Sequence, residues 1–353
     1  MPVTSHRRHR GSVWAGLLGA TFAGAFVLAQ PGGAGNDAVE MIQREARAIR
    51  PLVESDLARN YLDATADLPR PGARTIYFNR HTREALTETE ALQQDLERVK
   101  RDGFEKTELS ERFFYYTRYG TPVAYVRAID LAARNGVGDL EGRKVFDFGY
   151  GGIGHLRLLA SLGSHCVGVD VDPVLDALYN AEPSDTGVVS RARVAGPGSN
   201  GSIVVLDGRF PKDRAIKQRV GEGHALVISK NVLKLGYIHP EREPPSPNML
   251  IDLGVDDDTF LRAIRDAMAP GGLFVIYNLY PKQAGPNEPY KPWADGRSPF
   301  TKDQFERAGF DVVEFNRDDT ETARAMGDRL GWRGQMNFEE DLFAMFTIVR
   351  RRD

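Results

Sequence analysis

The sequence predicts an α/β fold, in which a mostly parallel seven-stranded sheet carries helices on both faces and follows an N-terminal helical segment. The first observation is a set of short apolar runs without alternation, which suit strands buried on both faces. The second is that helix signals separate the early runs, as expected where consecutive strands are parallel. The runs interpreted as strands are residues 145–146, 166–169, 203–206, 224–229, 273–278, 311–315 and 342–350.

Composition narrows the class of protein. The chain has 353 residues, enough for a large core in one or two domains, and a formal net charge of −3. Since no large basic block lies in its body, nucleic acid is not expected to be the main partner. The single cysteine, Cys166, excludes an internal disulfide and is expected to be buried and inert. The seven histidines lack metal-ligand spacing, so we expect no zinc site.

Residues 1–29 have the pattern of a targeting segment. Three arginines within residues 7–10 precede an uncharged stretch rich in Ala, Gly, Leu and Val, and residues 27–29 are similar to a small-residue cleavage site. The pattern predicts export, with membrane contact through an uncleaved anchor as one alternative and a cytoplasmic protein as another. Residues 30–36 are rich in glycine and proline and are interpreted as a linker.

Residues 37–112 are expected to form a mainly helical segment. A helical pattern over residues 38–61 is interrupted at Pro51, and Thr87-x-x-Glu90 is a capping box that opens another helix. The next stretch, residues 113–120, is dense in aromatic side chains. It is interpreted either as core or as a lid over a ligand, because aromatic faces attract cations.

The stretch 144–173 is the most informative part of the chain. An apolar run leads into the turn Gly-Tyr-Gly-Gly-Ile-Gly at residues 149–154, an apolar-striped helix follows, and a second apolar run ends at Asp170. Glycines allow a sharp turn and the close approach of a ligand, and a helix N-terminus offers free N–H groups. An acid about 20 residues beyond the glycines is placed to bind a ribose diol.

Two motifs in this chain resemble those of the class I S-adenosylmethionine (SAM)-dependent methyltransferases. Asp147 lies two residues before the first glycine, so that D-F-G-Y-G-G-I-G resembles motif I of that family, although the third glycine is Gly154 rather than residue 153. Residues 269–272, Ala-Pro-Gly-Gly, resemble the entry to the family's fifth strand. The resemblance covers roughly residues 113–350. It implies a Rossmann-like fold, SAM as the cofactor and methyl transfer as the reaction.

The resemblance also implies a set of residues that contact SAM. They are Asp147, Gly149, Tyr150, Gly151, Gly154, Asp170, Val171, Asp207 and Gly208. Two of these acids have structural alternatives, since Asp147 could orient the glycine turn and Asp207 could cap the following helix. A similar glycine pattern occurs in nicotinamide and flavin enzymes, so an NAD(P)-dependent oxidoreductase remains an alternative.

The methyl acceptor is expected beyond the ends of the fourth and fifth strands. Lys230 and His239 are predicted to be catalytic, His239 as a base and Lys230 as a cation for a substrate anion. The fourth strand ends in Ser-Lys-Asn-Val rather than the Pro-Pro motif of many amino- and amide-nitrogen methyltransferases, so a small-molecule acceptor is favoured. An exported, non-catalytic SAM-fold binding protein is a further alternative, because SAM is made in the cytoplasm.

Overall fold

Two sheets organise the chain. The computed structural model describes residues 37–181 and 184–353, and within them a three-stranded sheet precedes an eight-stranded one. The strands of the small sheet are β1 (Arg74–Asn79), β2 (Glu84–Thr87) and β3 (Glu105–Leu109). The strands of the large sheet are β4 (Lys144–Phe148), β5 (His165–Asp170), β6 (Gly187–Val189), β7 (Gly201–Asp207), β8 (His224–Lys230), β9 (Met268–Tyr280), β10 (Phe310–Asp318) and β11 (Phe343–Arg351).

Most helices are preceded by a residue whose side chain accepts a hydrogen bond from a backbone N–H of the first turn. The capping boxes at Thr87 and Thr301 are both complete. The helices of the described chain are α1 (Ala38–Ile49), α2 (Asp56–Asp63), α3 (Glu88–Gln93), α4 (Leu96–Arg101), α5 (Glu111–Tyr116), α6 (Val126–Ala132), α7 (Gly154–Ser161), α8 (Pro173–Tyr179), α9 (Arg214–Val220), α10 (Leu235–Ile238), α11 (Asp257–Ala267), α12 (Lys302–Arg307), α13 (Thr320–Arg329) and α14 (Phe338–Asp341).

The large sheet is mostly parallel, as expected. Its strand order is β10-β11-β9-β8-β4-β5-β7-β6. The five central strands β9, β8, β4, β5 and β7 run parallel, whereas β11 is antiparallel to both β9 and β10. All seven predicted strands are present, with ends that differ by a few residues. The Rossmann-like α/β expectation is therefore confirmed.

Helices cover both faces of this sheet because its strands alternate between two apolar clusters. On β4, Val145 belongs to one cluster and Phe146 to the other. The first face carries apolar residues of α1, α2, α6, α7, α8 and α13, and the second carries those of α9, α11 and α12. Cys166 on β5 is buried and reduced, as expected. A double-sided core of this kind leaves the carboxyl ends of the strands as the open edge.

Two expectations need correction. The large sheet has eight strands rather than seven, because β6 pairs antiparallel with β7 in the stretch predicted as an insertion or hairpin. Three residues are too few to show a periodic signal. Residues 37–112 contain the helices α1 to α4, and they also contain the sheet β2-β1-β3, which the sequence did not predict because its strands are mostly polar and are defined by their pairing. The single helix expected after Thr87 is also divided in two at Asp95, where φ is +69°.

The predicted leader and linker, residues 1–36, lie outside the described residues. In the part of the chain that is described, no helix is both long enough and apolar enough to span a bilayer.

Candidate functional site

The sheet has a topological switch point between β4 and β8. From β4 the chain moves outward through β5 to β7, and it then returns to β8 on the other side of β4. The connections that follow β4 and β8 therefore lead away from each other at the carboxyl edge of the sheet. Ligands of open parallel sheets bind at such switch points.

The glycine turn after β4 depends on residues without a side chain. Gly149 and Gly151 have φ of +81° and +58°, in the left-handed region that favours glycine. A Cβ atom on Gly149 would overlap the side chain of Val232, which follows β8. The Gly149 N–H donates to the Val169 carbonyl at 2.8 Å, so the turn is bound to the neighbouring strand. Gly154 begins α7 against Pro122.

Asp170 links the glycine turn to the end of β5. Its carboxylate accepts from the N–H groups of Gly151 at 3.0 Å, Val171 at 2.8 Å and Asp172 at 3.1 Å. Burial and the charge of Asp172 outweigh these three bonds and raise the pKa of Asp170 to about 7. Asp207 is its register partner on β7, and the Gly208 N–H donates to the Asp170 carbonyl at 2.9 Å. The structure thus brings together the residues predicted on three strand ends.

Two of the predicted SAM contacts, Asp147 and Tyr150, have side chains that are buried in the protein interior. Asp147 is fully buried, and its Oδ2 lies 2.5 Å from Nε2 of His155 on the first turn of α7. Its Oδ1 is buried with no hydrogen-bond partner among the described residues. The Tyr150 ring is also buried, and the backbone carbonyl of Tyr150 accepts a hydrogen bond from the Tyr125 hydroxyl at 3.1 Å. The Tyr125 ring stacks on His155 with 3.5 Å between centroids.

The aromatic stretch 113–120 divides between the two roles considered for it. Phe114, Tyr115 and Tyr116 are buried in the core. Tyr119 is 41% exposed, packs against Gly151, and donates its hydroxyl to Asp172 at 3.0 Å. The second half of the stretch therefore covers the glycine turn.

Lys230 is a buried cation on the same face of the sheet as Asp147. Its ammonium lies 5.1 Å from the centre of the Tyr125 ring. Burial lowers the pKa of Lys230 to about 8, against the attraction of Asp147. Sequence reasoning missed a second buried lysine, Lys234, which donates to the carbonyls of Leu279 and Trp293 at 2.6 and 3.1 Å. Burial and the charge of Lys230 lower its pKa to about 7.

The loops after β8 and β9 are packed against each other. The Asn278 amide donates to the carbonyls of Leu233 and Gly296 at 2.8 and 2.9 Å, and Tyr237 and Tyr290 are buried. These amide and aromatic side chains therefore hold the two loops together.

An open cleft of about 1060 Å³ lies farther along the carboxyl edge, where His239 is found. His239 Nε2 contacts both carboxylate oxygens of Asp257 at 2.9 and 3.1 Å. The β1–β2 turn contributes His81, Thr82 and Arg83 to the cleft. Its apolar wall consists of Ile238, Leu250, Ile251, Leu253 and Val255. Lys230 does not line this cleft, so the structure does not bring the two predicted catalytic residues together.

Fold and site together define an open α/β protein whose large sheet has a topological switch point beside a glycine turn. No protein-family model matches the sequence, and no curated protein does either. Among solved structures, an SAM-dependent methyltransferase from Mesorhizobium loti is similar with a TM-score of 0.36 and 18% identity, over 64% of this chain and 98% of that one. A putative sarcosine dimethylglycine methyltransferase from Galdieria sulphuraria gives 0.38 and 13%, over 68% and 94%. A Haemonchus contortus phosphoethanolamine N-methyltransferase, in complex with S-adenosylhomocysteine, gives 0.36 and 14%, over 66% and 54%. TM-scores this low carry no information on function, which we infer from the chain's own residues.

Proposed function

We propose that this chain is an SAM-dependent methyltransferase that acts on a small-molecule acceptor. The observation that carries the proposal is the glycine turn after β4, whose Gly151 amide is bound by Asp170 at the switch point. A glycine-rich turn, an acid at the end of β5 and a second acid at the end of β7 form a cradle for a nucleoside.

The cradle has the capacity to hold the nucleoside part of SAM. A carboxylate offers about four acceptor positions, and backbone N–H groups occupy three of those on Asp170. One position is left for a ribose hydroxyl. Val171, Asp207 and Gly208 would adjoin the adenine end, and Gly149 and Gly151 would adjoin the methionine end.

Methyl transfer from a bound sulfonium is an in-line displacement, and SAM would supply the methyl group. The protein then has to hold the acceptor in line and, where the acceptor must lose a proton, to accept that proton. The cleft beside His239 is the best place for the acceptor. Because Nε2 of His239 is bound to Asp257, Nδ1 is left as the base. Lys230 lies outside this cleft, and it would act from the face of the large sheet that carries Asp147, where it is a buried cation.

An NAD(P)-dependent oxidoreductase is the alternative function, and one observation argues against it. A dinucleotide needs two nucleotide-binding halves. In the described chain, β8 is followed by a segment that contains buried Lys234 rather than by a second glycine turn. Calorimetry on the whole protein with SAM, S-adenosylhomocysteine and NADH separates the two functions. Binding of NADH without binding of SAM would contradict our proposal.

We also propose that the N-terminal segment directs export or membrane attachment. A reporter fused to residues 1–36 should leave the cytoplasm, and a reporter that stays wholly soluble in the cytoplasm would contradict this. Should the protein be exported, a turnover assay with supplied SAM and an acceptor panel distinguishes an enzyme from a non-catalytic binding protein.

A further inference from the structure

The wall of the cleft opposite His239 comes from the small N-terminal sheet. The β1–β2 turn is closed by the Arg83 N–H, which donates to the Asn79 carbonyl at 2.8 Å. The Asn79 side chain accepts from the amides of His81 and Thr82 at 2.9 and 3.1 Å. Both β1 and β2 pack on α8, which follows Asp170 along the chain. A defined turn, held by its own hydrogen bonds, is therefore fixed over the carboxyl edge.

Each acidic side chain of the cleft has at least one partner within the protein. Asp252 accepts from the Gly254 N–H at 2.7 Å, and Asp256 accepts from the backbone and hydroxyl of Thr259, both at 2.8 Å. Asp257 binds His239 and, at 2.9 Å, the Gln304 amide. Asp258 lies 3.6 Å from the Arg307 guanidinium, which also lines the cleft. Hydrogen bonds and one ion pair within the protein therefore engage all four acids.

Arg83 is the exception among the charged groups of the cleft. Its guanidinium is partly buried, and within residues 37–181 and 184–353 it has neither an ion pair nor a hydrogen bond. Burial lowers its pKa, and the nearby charge of Arg118 acts in the same direction, whereas Asp172 opposes both. Asp172 itself is engaged by the Tyr119 hydroxyl and lies 3.7 Å from the Arg118 guanidinium. A partly desolvated guanidinium without a partner is a binding site for an anion.

We propose that Arg83 binds an anionic group of the methyl acceptor while the aliphatic wall of the cleft binds the acceptor's apolar body. The acceptor class is then an amphipathic carboxylic or phosphoric acid. This inference rests on the proposed function, and it gives the N-terminal region the role of selecting the substrate. His239 lies in the same cleft, so the anchored acceptor is held beside the base.

The test uses the whole protein saturated with S-adenosylhomocysteine and three probes that share one pentyl chain. Hexanoate and pentyl phosphate carry the two anionic groups, and hexanamide is the neutral counterpart. Ligand-observed NMR titration gives a Kd for each probe. The wild type should bind at least one anion more tightly than hexanamide, and the stronger of the two identifies the acid. Arg83→Gln should weaken that binding roughly 10- to 100-fold, and Arg83→Lys should restore part of it.

The matched control is Arg80→Gln. Arg80 lies on the same turn but is 77% exposed, pairs with Glu105 at 3.6 Å, and does not line the cleft. This variant should bind the probes as the wild type does. Equal affinity for hexanamide and the anions, absence of anion binding to the wild type, or equal losses in Arg80→Gln and Arg83→Gln would each overturn the inference. Failure of S-adenosylhomocysteine to bind would instead overturn the proposed function, and the dependence of anion binding on Arg83 would still be measured.

Discussion

The affinity for an adenosine ligand should depend on pH through Asp170. The pKa of this carboxyl is raised to about 7, mainly by burial. Ribose hydroxyls donate hydrogen bonds, and a carboxylate accepts them better than a carboxylic acid does. Binding should therefore favour the ionised form, strengthen as the pH rises through about 7, and release a proton to the solvent.

The size of the effect follows from the ionised fraction of Asp170. With a pKa of about 7, roughly a tenth of the molecules are ionised at about pH 6 and roughly nine tenths at about pH 8. If only the ionised form binds, Kd falls about tenfold across that interval. The stability of the ligand-free fold has the opposite sign. Because the native carboxyl keeps a proton that the unfolded chain loses near pH 3.8, this group makes the fold less stable as the pH rises from there to about 7.

Calorimetry with 5′-methylthioadenosine measures this dependence without interference from the ligand. The compound keeps adenine and ribose but lacks the amino-acid end, so it does not titrate over the interval. Repeating the titration in buffers of different ionisation enthalpy counts the proton released. Asp170→Asn should bind more weakly at about pH 8, by about 1.5–3 kcal/mol, and should lose the pH dependence. A flat wild-type profile, or a slope that persists in Asp170→Asn, would refute the assignment of Asp170 to the ribose.

Other predictions concern the turn and the two predicted catalytic residues. Gly149→Ala should lower the free energy of unfolding, measured in urea titrations, by about 2–5 kcal/mol, because the new methyl group overlaps Val232 and the backbone is strained. Gly142→Ala is the control: φ is positive there too, at +67°, but the space around it is open, so the cost should be only about 1–2 kcal/mol. Equal costs in the two variants would contradict the steric reason. Lys230→Met should stabilise the fold more at about pH 7 than at about pH 9, because the destabilisation by the buried amine is complete below its native pKa of about 8 and declines as the pH rises from there toward the ordinary value of 10.5. A gain independent of pH would show that the lysine is not the cause. His239→Ala should keep the affinity for S-adenosylhomocysteine and lose about 100-fold or more in turnover of an acceptor that must be deprotonated. Lys230→Met should likewise retain that affinity but lose turnover; if both variants turn over such an acceptor at wild-type rates, the catalytic assignments are wrong.

Much of the fold could be predicted because its signals are local. The strands β4, β5, β7, β8 and β9 appear as apolar runs, and their burial on both faces is what makes those runs continuous. The capping boxes at Thr87 and Thr301 depend on side chains three residues apart. The small sheet escaped prediction because most of its strand residues are polar, so that no long apolar run marks the strands and their pairing partners define them.

The candidate site likewise combines features that local sequence predicts with features that only the tertiary structure creates. The sequence by itself determined the turn at residues 149–154 and the acid at residue 170, since their spacing follows from one strand–turn–helix–strand unit. Only the tertiary structure decided that His155 pairs with Asp147, that the two long loops fill the space between them, and that Arg83 reaches the cleft beside His239. Arg83 and His239 are separated by nearly half of the described chain. The contact between distant segments depends on which helix the small sheet packs against, and no local pattern of residues encodes that choice.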